Sequence, residues 1–237
     1  MRRRRPRQGE LPFHRGTWGG RRPGAGRKPG PNPRVRHLSR ARFPASHPCL
    51  VTLKVREEIA SLRTIPVVKE IERTFRRGAE RKGFRLVHYS IQGDHLHALV
   101  EANGREALGR GMMSLAIRFA RAVNGGLGRQ GAVLRDRYHL RVLRTPSQVR
   151  NALRYVLLNA PRHWAKRAGS KALRGPVRLD PASSVRWFDG WRRDARLAEE
   201  AAQPSDPPAV GRPHTWLLDV GWRRLGLLDP SEIPGPA

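Results

Sequence analysis

The stretch FRLVHYSIQGDHLHALVE, residues 84–101, decides the fold. FRLVHYSI (84–91) and HLHALVE (95–101) are rich in aliphatic, β-branched and aromatic residues, and each has the length of one strand. Between them Gln92-Gly93-Asp94 supplies a tight turn, so the two pair as an antiparallel hairpin. Upstream, LVTLKV (50–55) reads as another strand, and residues 66–82, opened by Pro66, read as a helix closed by Gly83. Downstream, Leu108, Met112, Leu115, Phe119 and Val123 recur at helical spacing and mark one apolar face. That helix stops at Asn124-Gly125-Gly126, and a further strand follows around 133–143. Thr145-Pro146-Ser147-Gln148 then opens a last helix with Thr at the N-cap, Pro at N1 and Gln at N3, a capping box. The order β-α-β-β-α-β-α predicts an α+β fold: a ferredoxin-like split βαβ antiparallel sheet with an added C-terminal helix. That arrangement serves many functions and names none.

Charge narrows the partner. The 237 residues hold 48 Lys and Arg against 19 Asp and Glu, a formal net charge of +29. Self-repulsion on that scale suits a chain that meets a polyanion, and the preference for Arg suits phosphate forks and base stacking. Residues 1–48 contain 14 Lys and Arg, one acid (Glu10) and little apolar periodicity, so they read as a disordered basic arm. Within the arm, Arg27 and Lys28 of RPGAGRKPG either form a minor-groove insert resembling an AT-hook or belong to a solvated basic tail. Residues 49–165 hold the patterned domain, and 166–237 form a C-terminal extension containing Trp187, Trp191, Trp216 and Trp222. Those tryptophans read as packing back on the core or as stacking on bases. The single Cys49 excludes an internal disulfide and a cysteine-based zinc cluster. No run of about 18 apolar residues exists, so no membrane span is expected, and the chain is expected in the cytoplasm with the nucleoid.

Two constellations bear chemistry. On a strand, His95 and His97 project from one face and can chelate one ion, or form a hydrogen-bonded surface pair. On the last helix, Tyr155 and Asn159 lie four residues apart on one face. Val149, Leu153, Val156, Leu157 and Ala160 make the apolar face of that helix, and Tyr155 points about 145° away from its centre, as a half-exposed tyrosine packing on a neighbour or as a chemical group. A phenol of ordinary pKa about 10 is a weak nucleophile, and a metal beside it would polarise a phosphate for attack. Imidazole plus an amide oxygen suits Mn²⁺ or Zn²⁺ as well as Mg²⁺. Tyr89 and Tyr138 are the rival nucleophiles, and His88 falls on the face of the His pair under an odd-sum register. Arg105, Arg110, Arg118 and Arg121 stand off the apolar face of the second helix, as a solvated face or as phosphate contacts.

With HLHALVE, Arg135-Asp136-Arg137-Tyr138-His139 and ALRYVLLN ending at Asn159, residues 47–165 resemble the single-tyrosine HUH transposases. The similarity points to the insertion-sequence-200-like and REP-associated tyrosine branch. It implies that His95 and His97 are metal ligands, that Asn159 takes the third ligand position, and that Tyr155 on a catalytic helix forms a 5′-phosphotyrosine. It also implies Mg²⁺ or Mn²⁺ as cofactor and single-stranded, hairpin-containing DNA as substrate, handled by a monomer or a homodimer. Arg27, Lys28, Arg118, Arg121 and Arg137 are the expected nucleic-acid contacts. One departure stands out: Ala160 separates Asn159 from Pro161, where relatives often read Asn-Pro directly. The expected activity is metal-dependent nicking and strand transfer on DNA, and the alternative is a non-catalytic, domesticated nucleic-acid-binding protein.

Overall fold

The computed structural model describes residues 41–158, 179–192 and 207–232. Its chain order is β1 (Cys49–Lys54), α1 (Ile65–Arg76), β2 (Glu80–Arg81), β3 (Phe84–Ile91), β4 (His95–Ala102), α2 (Arg105–Gly126), β5 (His139–Val142) and α3 (Pro146–Leu157). The strands form one antiparallel sheet in the order β2-β3-β4-β1-β5. The fold is therefore α+β, and the hairpin 84–101 lies at its centre.

Two expectations are corrected. The first helix ends at Arg76 rather than 82, because Glu80 and Arg81 pair with Arg85 and Phe84 as a short strand. Gly83, at φ +75°, turns that hairpin in the left-handed region instead of ending a helix. The strand expected around 133–143 shrinks to His139–Val142, with Leu134 bridging Val55 by itself.

Alternation along the strands separates two cores. Val51, Leu53, Leu86, Tyr89, Ile91, Leu96, Ala98 and Val100 face α1 and α2. α2 comes close enough to β3 that a Cβ on Gly111 would lie 2.1 Å from Phe84 Cγ. On the other face Leu50, Val87 and Leu99 pack with Val149, Leu153, Val156 and Leu157 of α3. The start of α3 follows its sequence signal: the Thr145 hydroxyl accepts from Gln148 N–H at 3.2 Å. Gln148 Oε1 reaches back to the N–H of Arg144, one residue before the cap, at 2.7 Å.

Parts of the C-terminal region complete both cores. Asp180, buried, receives both Arg63 guanidinium nitrogens at 2.7 and 2.9 Å. Glu101, also buried, accepts from the backbone N–H groups of His214 and Thr215 and from the Thr215 hydroxyl. Trp222 is buried against Phe188 in the α3-side core, and Trp187 and Trp191 are partly buried. Packing thus takes three of the four tryptophans singled out in the sequence, while Trp216 keeps 49% of its surface exposed. No described helix is long and apolar enough to cross a membrane.

Candidate active site

His95, His97 and Leu99 alternate on the β4 face that meets α3, and register fixes their neighbours on β1. Thr52 stands opposite His97, and Lys54 opposite His95. The ring atoms away from the site are both engaged. His95 Nδ1 donates to Asp94 Oδ1 at 2.6 Å, and His97 Nδ1 lies 3.0 Å from Thr52 Oγ1. The two Nε2 atoms consequently face each other, 2.9 Å apart. Asp94, the last residue of the turn, is also 3.5 Å from Lys54 Nζ. The hydrogen bond from His95, with the charges of His95 and Lys54, holds the Asp94 carboxyl below its usual range.

Proton placement follows. When His95 is neutral, directing its Nδ1–H at the carboxylate leaves the lone pair on Nε2, which then accepts from His97 Nε2–H. Thr52 then donates to His97 Nδ1. A cation between the rings needs lone pairs on both Nε2 atoms, and the Thr52 hydroxyl can accept from His97 Nδ1–H just as well. Two nitrogens 2.9 Å apart have the spacing that neighbouring ligands of one ion require when each bond is about 2.1 Å. The donor set fits a divalent metal. Among the described residues, however, no three His, Cys, Asp or Glu side chains converge on one point. A third protein ligand would be of another type or come from outside them.

Tyr155 comes to the pair from α3. Its ring centroid is 4.7 Å from that of His97 with the planes at 65°, and it is half-buried at the edge of the α3 core. Tyr155 thus packs against an imidazole and the edge of the α3 core, although helical spacing sets it about 145° from the centre of the apolar face.

The other candidates separate cleanly. Tyr89 is buried in the core on the opposite face, bonded to Glu72 at 3.0 Å and edge-on to Phe75; burial and the Glu72 charge push its hydroxyl well up. Tyr138 packs against that same core. Arg118 and Arg121 line a groove of about 730 Å³ between α1 and α2 with Arg77, Arg81 and Arg110, across the sheet from the His pair. Arg137 is exposed just before β5. Asn159, Arg27 and Lys28 lie outside the described residues. Asp94 and Thr52 were not singled out in the sequence. Asp94 reads there as a turn residue, and Thr52 becomes visible only through the β1–β4 register.

His88 shares the face of the His pair, as the register Ser90↔His97 requires, but it serves the core. It is buried, edge-on to Phe188 and 3.3 Å from Ser184 Oγ. Burial lowers its pKa to about 4. The unfolded chain, with an ordinary histidine near about 6.5, then binds more protons between these values, so stability falls as pH drops through that window. We expect the stability advantage of wild type over His88→Gln to shrink by about 3 kcal/mol between pH 7 and pH 4, measured by urea unfolding. A difference independent of pH would show that His88 is not buried neutral.

Comparison with known proteins yields distant structural neighbours. No family model and no curated protein matches the chain. Among solved structures, a REP-associated tyrosine transposase bound to a REP hairpin is 15% identical, with a TM-score of 0.43 over 56% of this chain and 77% of that one. A candidate transposase from Deinococcus radiodurans R1 is 14% identical, with a TM-score of 0.35 over 48% of this chain and 88% of that one. At these values neither neighbour assigns an activity to the chain.

Proposed function

We propose that the protein is a metal-dependent nickase and strand transferase for single-stranded DNA, a transposase of the HUH type acting on hairpin or repeat DNA. The observation that carries this reading is the facing pair of His95 and His97 Nε2 atoms with the Tyr155 ring set against His97. In this reading the sheet is the ferredoxin-like one and α3 is its catalytic helix. His95 and His97 would hold Mg²⁺ or Mn²⁺, with the Asn159 amide oxygen as third protein ligand. When bound, the ion supplies polarisation of the scissile phosphate and offsets its charge.

The chain's own residues do the rest. Asp94 and Thr52 fix the two imidazoles so that both Nε2 atoms point inward. The Tyr155 hydroxyl oxygen attacks phosphorus; the Tyr–O–P bond forms and the bond to the 3′ oxygen breaks. The proton lost by the phenol balances the one gained by the departing 3′ oxygen. One DNA end is left as a 5′-phosphotyrosine and the other as a free 3′-OH. Attack by a 3′-OH on the phosphotyrosine reverses the step and joins strands, so the bond energy is retained and no nucleotide triphosphate is consumed.

The test is incubation of an end-labelled, hairpin-bearing oligonucleotide with the full chain and Mg²⁺ or Mn²⁺. The expected product is a covalent protein–DNA adduct whose formation a chelator prevents. A purely binding protein would give salt-sensitive, chelator-insensitive complexes and no adduct under any condition.

A further inference from the structure

Among the described residues, the sheet face that carries the His pair is covered unevenly. α3 packs chiefly over β3 and β4, reaching β1 at Leu50. Register places Ser90, His97, Thr52 and His139 in one row across β3, β4, β1 and β5. His139 therefore shares the face of His97, two strands away, at about 10 Å. Arg141 follows on the same face about 7 Å further along β5, opposite Leu50. Both are exposed, whereas Leu140 and Val142, on the other side of β5, lean on the α1–α2 core.

We infer that this open half of the sheet, on β1 and β5, holds the stretch of DNA strand adjoining the cleaved phosphate, with His139 and Arg141 as its phosphate contacts. The inference rests on the nicking reading above and adds the path by which substrate reaches the site. An antiparallel edge strand with apolar residues on one side and an imidazole and a guanidinium on the other is built to meet solvent or an anion. A nearby carboxylate, Asp94, is already engaged by His95 and Lys54. A phosphodiester leaving the His pair away from α3 passes directly over this row. The occupant is a single strand because the scissile phosphate must lie within reach of Tyr155, against the sheet itself. An arginine meets such a backbone through a forked pair of donors, and an imidazole N–H adds one more.

The test uses the full chain with Tyr155→Phe, so that binding is read without cleavage. Fluorescence anisotropy with a short single-stranded oligonucleotide is followed from about 50 to 200 mM salt, where each phosphate contact contributes about 0.7 to the slope of log K against log salt. Adding Arg141→Ala should weaken binding about fivefold and reduce the slope by about that one contact, while Arg141→Lys should restore the slope. A photoreactive group on the thiol of His139→Cys should crosslink to the same oligonucleotide, since the native Cys49 is buried and will not take the label. Unchanged affinity and slope in Arg141→Ala, or no crosslink from position 139, overturns the path. The chemistry is judged separately: an adduct with wild type and no effect at Arg141 rejects the path alone, and the converse rejects the chemistry alone.

Discussion

Replacing Tyr155 by Phe should abolish covalent capture of DNA while leaving DNA binding within about twofold of wild type. The aromatic contact with the His97 ring, 4.7 Å between centroids, survives the change, so the fold and the pair should be undisturbed. The hydroxyl that the proposed reaction uses as nucleophile is lost. A nucleophile has no partial substitute, and activity should fall by at least about a thousandfold, equivalent to about 4 kcal/mol of transition-state stabilisation. Tyr89 should give a contrasting pattern. Tyr89→Phe removes the hydroxyl bonded to Glu72 in the core, so its expected cost is stability with activity retained. Measuring adduct yield beside urea unfolding for the two variants separates nucleophile from core aromatic.

His97→Ala should weaken Mn²⁺ binding at least about a hundredfold and lower cleavage to a comparable extent or more. Titration calorimetry or the electron-spin signal of free Mn²⁺ gives the affinity independently of activity. His97 is the more buried of the pair, touches Tyr155 and is backed by Thr52, so its loss removes a proposed ligand and a wall of the site together. Asp94→Asn and Thr52→Val should fall between wild type and His97→Ala, at about 10- to 100-fold weaker metal binding. Each leaves both imidazoles present; the first removes the charge of the group that aims His95, and the second the hydroxyl that aims His97. Equal metal affinity across the series would mean that the facing nitrogens share a proton and nothing more.

Much of this site can be read from sequence because strand and helix periodicities are local. Alternation is enough to put His95 and His97 on one face, and the helical angle is enough to keep Tyr155 out of the centre of the α3 stripe, though not to show that it packs at its edge. What alternation cannot supply is the partner across the sheet. Thr52, beside His97, and His139, two strands away in the same row, owe their places to the register of β1 against β4 and β5, which long-range packing sets. The same limit explains the overextended first helix: residues 77–82 contain good helix formers, but Glu80 and Arg81 are drawn into pairing with β3. His88 shows the converse. Its face was legible, while its role depended on Ser184 and Phe188, almost a hundred residues away in the chain.

Mass spectrometry of the tryptic digest, after reaction with a hairpin-bearing oligonucleotide and nuclease trimming, tests the central claim most directly. Cleavage after Arg154 and Arg162 yields YVLLNAPR, a peptide that contains Tyr155 and no other tyrosine. The account predicts a nucleotide phosphate on that peptide alone, formed only with Mg²⁺ or Mn²⁺ and absent from His97→Ala. A phosphate on the peptide holding Tyr89 or Tyr138, or an adduct formed equally in the presence of chelator, would contradict it.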